Sequence, residues 1–200
     1  MRQLPSASTS NIQHSTFNID PLPTVNCIQH STFNIQHKIV SPSFLKLVNS
    51  PLKFRVFMFT KLRAAFFSGL RIVHADENSC SVTIPYKKFT SNPFRSTYFA
   101  CLSMAAEMST GVLAMGNTYK RNPAISMLVV KVEGEFFKKA DGLTTFICAD
   151  GNKIRSVIEE AVSSGEARSI RAYAKGENSA GDPVAEFYIT WSFKARPKRN

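Results

Sequence analysis

The sequence predicts an α+β fold in which an antiparallel sheet curls around one helix, and three observations carry that expectation. Residues 98–115 are almost all apolar or small, with no narrow polar face, so the helix they form must be wrapped by protein on most sides. The segments around it alternate apolar and polar residues with a period of two, the mark of half-buried strands. Turn-forming clusters such as DENS (76–79) and GENSAGD (176–182) separate those segments at hairpin spacing. Strands in hairpin order, with one apolar helix after the second, bury their surfaces best as a sheet folded over that helix.

The elements follow in order. Residues 1–50 contain a duplication, NIQHSTFNI at 11–19 returning as CIQHSTFNIQH at 27–37, in a background of Ser, Thr, Asn, Gln, His and Pro. Such a stretch lacks sustained periodicity and reads as a disordered tail. The repeat is too short for a solenoid, and it also suggests a gene start placed too far upstream. Histidines 14, 30 and 37 could bind metal weakly, but a bland polar tail is the expectation. Residues 51–67 place Phe54, Phe57, Met58, Leu62, Ala65 and Phe66 at helical spacing with Lys and Arg between them. This basic amphipathic helix could lie on a membrane surface, though packing across a sheet edge is the commoner use. Gly69 supplies its stop.

A hairpin comes next, 70–75 and 80–87, with Cys80, Val82, Ile84 and Tyr86 on one face. After the central helix, 116–123 reads as a polar loop and 124–138 as a long strand. Residues 127–130 are apolar on both faces, as in a central strand. Residues 143–149 form another strand, and Ile154, Val157, Ile158, Ala161 and Val162 give an extra helix closed by Gly165. Strands at 168–175 and 184–194 complete the domain, which spans 51–195, and a basic tail, 196–200, follows it.

Composition narrows the function classes. Lys and Arg exceed Asp and Glu by 11 charges, which favours anionic ligands. The bases are dispersed except at the ends of the domain, and no nucleic-acid-binding motif accompanies them, so nucleic acid is not expected as a partner. Four scattered cysteines (27, 80, 101, 148) without C-x-x-C pairing argue against a disulfide framework or a zinc site, and no metal or other cofactor is expected. No signal-peptide pattern and no apolar run of about 18 residues is apparent, which points to a cytoplasmic protein. His74 is the one histidine beyond the tail, so an imidazole-based nucleophile engine has little to work with.

Glu107 is the only ionisable carboxylate in the central helix. Among Met104, Ala105, Ala106 and Met108 it is either paired or desolvated, and desolvation would raise its pKa toward the range useful for acid/base chemistry. Ser103, Thr110 and Gly111 share its stripe on the helix. The alternative is a carboxylate hydrogen-bonded to a neighbouring backbone or hydroxyl group.

The pattern Asn92, then Tyr98-Phe99-Ala100, then Glu107 resembles the N-x(5)-H-G-G-x(6)-D signature at the start of the central helix of hotdog-fold thioesterases of the PaaI-like, acyl-coenzyme A type. Ser126 stands near the start of the next strand, where those enzymes often carry Ser or Thr. The resemblance covers roughly 51–194 and is to a bacterial branch of this superfamily. It implies a hotdog fold and an acyl-CoA or other acyl thioester as substrate. Glu107 would be base or nucleophile, Asn92 would orient water or carbonyl, the Phe99 backbone N–H would polarise the carbonyl, and Ser126 would be a partner of Glu107 or the water. Tyr98, Ser103 and Thr110 would line the substrate. Tyr98 replaces the family's His, Phe99-Ala100 its Gly-Gly, and Glu its Asp. A backbone N–H survives those side-chain changes, and the helix dipole still favours an oxyanion there.

Tyr98 and Glu107 are nine residues apart, which on an ideal helix sets them on opposite sides and roughly 13 Å apart along the axis. One chain can hardly bring both to one carbonyl, so a homodimer with a composite site is expected, with a tetramer as a further assembly. The other function class is a non-catalytic acyl-CoA, fatty-acyl or lipid-binding protein in which Tyr98 and Phe99 have closed the site to chemistry.

Overall fold

The computed structural model describes residues 40–196. The duplicated stretch with its three histidines, Cys27 and the last four residues of the basic tail lie outside them. Helices α1 (Pro42–Val48), α2 (Pro51–Lys61) and α3 (Arg63–Ser68) lead into the hairpin β1 (Arg71–Ala75) and β2 (Cys80–Ile84). The central helix α4 (Phe99–Thr118) is followed by β3 (Ile125–Phe136), β4 (Thr144–Cys148), α5 (Gly151–Ser164), β5 (Arg168–Asn178) and β6 (Pro183–Ala195).

All six strands form one antiparallel sheet in the order β1-β2-β4-β5-β6-β3. Its inner face carries Val82, Ile84, Phe146, Ile189 and Phe193, all fully buried, and α4 and α5 pack on the sheet. Along α4, Leu102, Ala105, Ala106, Leu113 and Ala114 are buried, and the run of small side chains lets the sheet close on the helix. By length and composition α4 could cross a membrane, contrary to the sequence expectation, yet it is the interior helix of this fold. Cys80, Cys101 and Cys148 are free and buried. α5 flanks α4 and ends at Gly165, whose φ of 71° only glycine adopts without strain.

The sequence expectations are corrected at three places. The tail boundary at residue 50 cuts through ordered structure: α1 lies before it, and Phe44 and Val48 are buried in the core. Phe44 packs its ring against Tyr119 at 5.3 Å, beyond the C-terminal end of α4. The basic helix at 51–67 is two helices, because Leu62 leaves the helical conformation at φ −134°, ψ 59°. A straight helix of that length would run about 25 Å past the sheet. The break instead folds α3 back so that Phe66 meets Phe59 at 5.2 Å.

The third correction concerns β3, which is an edge strand rather than a central one. Ile125, Met127 and Val129 pack on the core, a bulge at Val130 interrupts the register, and Leu128 and Val130 remain 65% and 52% exposed. Among the described residues, the continuous apolar run therefore has a second face that stays exposed.

Since Phe44 is 3% exposed, Phe44→Ala should lower the unfolding free energy by about 3 kcal/mol. Leu52→Ala, at a site 75% exposed, should change it by less than about 0.5 kcal/mol. Chemical denaturation checks both, and equal small losses would show that α1 does not belong to the core.

Candidate functional site

Glu107 sits at the middle of α4, on the face that looks toward α1 and α2. It opens on a cavity of about 180 Å³ walled by Phe54, Phe57, Met115, Met127 and Trp191, among others. The wall thus draws on α2, α4, β3 and β6. Among the described residues no group hydrogen-bonds the Glu107 side chain. Burial pushes its carboxyl above the usual carboxylate range, because the charged form loses water and gains no donor in exchange.

Two neighbours fix this geometry. The Thr110 hydroxyl accepts a hydrogen bond from Trp191 Nε1 at 2.9 Å and donates to the Glu107 carbonyl oxygen at 3.0 Å, so it clamps the indole against α4. A Cβ at Gly111 would stand 3.2 Å from both Glu107 Oε1 and Trp191 Cζ2. Glycine at that position lets the carboxylate lie close to the ring.

The N-terminus of α4 faces a different cleft, of about 590 Å³, which Asn92, Tyr98, Phe99, Phe137 and Lys139 help to line. Tyr98 takes no side-chain capping role, and the Phe99 and Ala100 N–H groups have no protein acceptor among the described residues. The two aromatic rings stack edge to face at 4.8 Å, both substantially exposed. The start of the helix therefore presents free N–H groups and the positive end of its dipole.

The other expected site residues are placed as follows. Asn92 Oδ1 accepts from the backbone N–H groups of Phe94 and Ser96 at 3.0 and 3.1 Å, and its Nδ2 donates to Ser96 Oγ at 3.0 Å. Its amide shapes the 92–96 loop, where Arg95 takes φ 58°. Ser126 Oγ accepts from Arg196 Nε at 2.7 Å. Strand alternation puts it on the face opposite Met127, so it does not reach Glu107 in the same chain. Thr110 is committed to Trp191, and Ser103 is half-buried and lines neither cavity. His74 is exposed and bonds Asp76 at 2.9 Å in the β1–β2 turn. Phe44, Leu47 and Trp191 were not anticipated as cavity residues; the signals available were the single tryptophan and the Ser41-Pro42 helix start. Among the described residues no group of three or more His, Cys, Asp or Glu lies together as metal ligands would.

Comparison with solved structures gives the fold a context. The chain superposes on a protein of unknown function from Pseudomonas aeruginosa described as a probable thioesterase, with a TM-score of 0.62 and 20% identity over 73% of this chain and 97% of that one. A thioesterase from Haemophilus influenzae matches with a TM-score of 0.54 and 10% identity over 76% of this chain and 94% of that one. A protein from Chlorobaculum tepidum, also of unknown function, matches with a TM-score of 0.62 and 19% identity over 72% and 94%. At these identities the likeness establishes the hotdog fold. No curated protein matches the chain by sequence. Residues 54–193 match the family described as "Domain of unknown function (DUF4442)", and with the sheet wrapped around α4 as in its thioesterase neighbours, the chain is a hotdog-fold member of that family.

Proposed function

We infer that the protein hydrolyses acyl thioesters, acyl-CoA foremost, at a site shared by two subunits. The observation that carries this reading is the desolvated, unpartnered Glu107 carboxylate on the wall of an apolar cavity. Such a cavity suits an acyl chain, and a carboxylate held above its usual pKa is the stronger base for water. The thioesterase neighbours support the same chemistry.

The reaction then runs as follows. Glu107 takes a proton from water, and the hydroxide attacks the thioester carbonyl. The Phe99 N–H of the partner subunit holds the developing oxyanion. Collapse breaks the C–S bond, the protonated Glu107 returns its proton to the leaving thiolate, and a carboxylic acid and a free thiol depart. Two subunits are required because α4 separates its own Phe99 from Glu107 by about 12 Å along its axis. The exposed apolar face and open edge of β3 supply a surface on which a second copy can pair. The second reading, a protein that binds acyl ligands without turnover in the cytoplasm, is favoured by the commitment of the Asn92 amide to its own loop.

Glu107→Gln should lower kcat by about 10²-fold or more while acyl-CoA binding persists. Hydrolysis at the wild-type rate by that variant would remove Glu107 from the mechanism, and a wild type that binds without turnover would establish the second reading. Because the folded pKa of Glu107 is raised, the native state binds more protons than the unfolded chain between the ordinary value of 4.5 and the raised one, and stability falls as pH rises through that window. Glu107→Gln should therefore melt higher than wild type, by a margin that opens above pH 4.5. A variant that melts no higher at neutral pH would contradict the desolvation. Light scattering at micromolar concentration should give twice the chain mass of 22.3 kDa, and Leu128→Asp on the β3 edge should shift it to monomer with loss of activity. A wild-type monomer would end the composite-site model.

A further inference from the structure

α2 has two apolar faces. Phe54 and Met58 are buried on the domain, whereas Leu52, Val56 and Phe59, spaced i, i+4, i+7, form a second stripe about 150° around the helix. A helix that is apolar on both sides calls for a second apolar environment. That stripe continues into an exposed aromatic array. Phe59 meets Phe66 at 5.2 Å, Phe66 meets Phe67 at 5.4 Å, and Phe67 meets Phe89 of the loop after β2 at 6.3 Å. Phe59, Phe67 and Phe89 are 52%, 49% and 64% exposed. Solvent-facing phenylalanines grouped in this way, from three separate elements, mark an interaction surface.

Charge identifies the partner. Residues 42–75 hold six Lys or Arg and no Asp or Glu, and residues 80–98 add three more bases without an acid. Among the described residues none of Lys53, Arg55, Lys61, Arg63 and Lys87 makes a salt bridge. Lys53 and Arg55 flank the Leu52-Val56-Phe59 stripe on its two sides, and the Arg55 guanidinium lies 4.8 Å from the Phe66 ring centroid. A second copy of this surface is a poor occupant, since a twofold contact would set these bases against themselves with no acid to answer them. A solvated polyanion would satisfy the charges but leave the aromatic array in water. A bilayer containing anionic lipid satisfies both, with the bases at the headgroups and the phenylalanines in the acyl boundary.

We propose that the α2–α3 face, with Phe89, docks on anionic membrane surfaces. The surface is separate from the β3 edge assigned to dimerisation. It is continuous with the Glu107 cavity through Leu62, which both lines that cavity and is exposed at the α2–α3 break. On the thioesterase reading, this would place the cavity mouth where acyl chains partition. Docking itself does not depend on that reading.

The test is sedimentation of the full-length protein with vesicles, in the absence of any thioester, so that its outcome is independent of hydrolysis. Vesicles of phosphatidylcholine with phosphatidylglycerol should carry the protein down at low salt, pure phosphatidylcholine should carry at least about tenfold less, and added salt should weaken the binding. Phe59→Ser with Phe67→Ser, both at exposed positions, should reduce binding by about tenfold or more at unchanged melting temperature. Lys53→Gln with Lys61→Gln, which leaves every aromatic contact in place, should also weaken it. The proposal fails if wild type does not sediment with the acidic vesicles. It also fails if the double-Ser variant binds them as well as wild type, or if the patch instead drives a concentration-dependent self-association that the same variant abolishes.

Discussion

The desolvation of Glu107 is the constraint on which the rest of the structure turns. An apolar helix at the centre of a curled sheet is easy to account for, since every buried face of α4 removes hydrocarbon from water. A carboxylate in the middle of that helix is not, because its charged form loses hydration and finds no protein donor in return. The surroundings preserve the cost rather than relieve it. Thr110, the nearest hydroxyl on the stripe, is held by the Trp191 indole, and Gly111 keeps the space beside the carboxylate free of a side chain. A half-buried carboxylate on the wall of an apolar cavity, without a protein donor among the described residues, is a candidate for binding a ligand or a reacting water.

The N-terminal helices make the cavity what it is. Phe44 and Leu47 of α1 and Phe54 and Phe57 of α2 line the cavity onto which Glu107 opens. α2 therefore has a double task, apolar inward toward the cavity and apolar outward in a basic frame. The same helix lines the Glu107 cavity and shapes the outer surface of the domain, so the proposed acyl binding and the proposed surface docking would share one element. β3 has a comparable division. Its inner residues complete the core and the cavity through Met127, while Leu128 and Val130 on its outer side stay exposed at the edge of the sheet among the described residues.

Much of this was legible from the residues. α4 announced itself by its length and lack of a polar face, and Glu107 by being the only carboxylate within it. The strands followed from period-two alternation, and α5 from its apolar stripe and closing glycine. What escaped did so for identifiable reasons. α1 is only seven residues long and follows a long polar stretch whose composition overwhelms it, although Ser41-Pro42, like Ser50-Pro51, is a helix start of the usual kind. β3 resembles a central strand because an apolar run shows that both faces want covering without saying by which chain. Asn92 and Ser126 show the limit of motif spacing. Position along the chain located them, but the local loop claims the Asn92 amide and strand parity turns Ser126 away from Glu107.

The proposed chemistry depends on the ionisation of one side chain. Carbon-13 NMR titration of the glutamate side-chain carboxyls, with the Glu107 resonance assigned by its loss in Glu107→Gln, measures it directly in the folded protein. For a desolvated Glu107 the midpoint lies clearly above the ordinary value of 4.5. A midpoint at or below that value would mean that Glu107 is solvated or paired, and would contradict the desolvated-base reading on which the proposed chemistry depends.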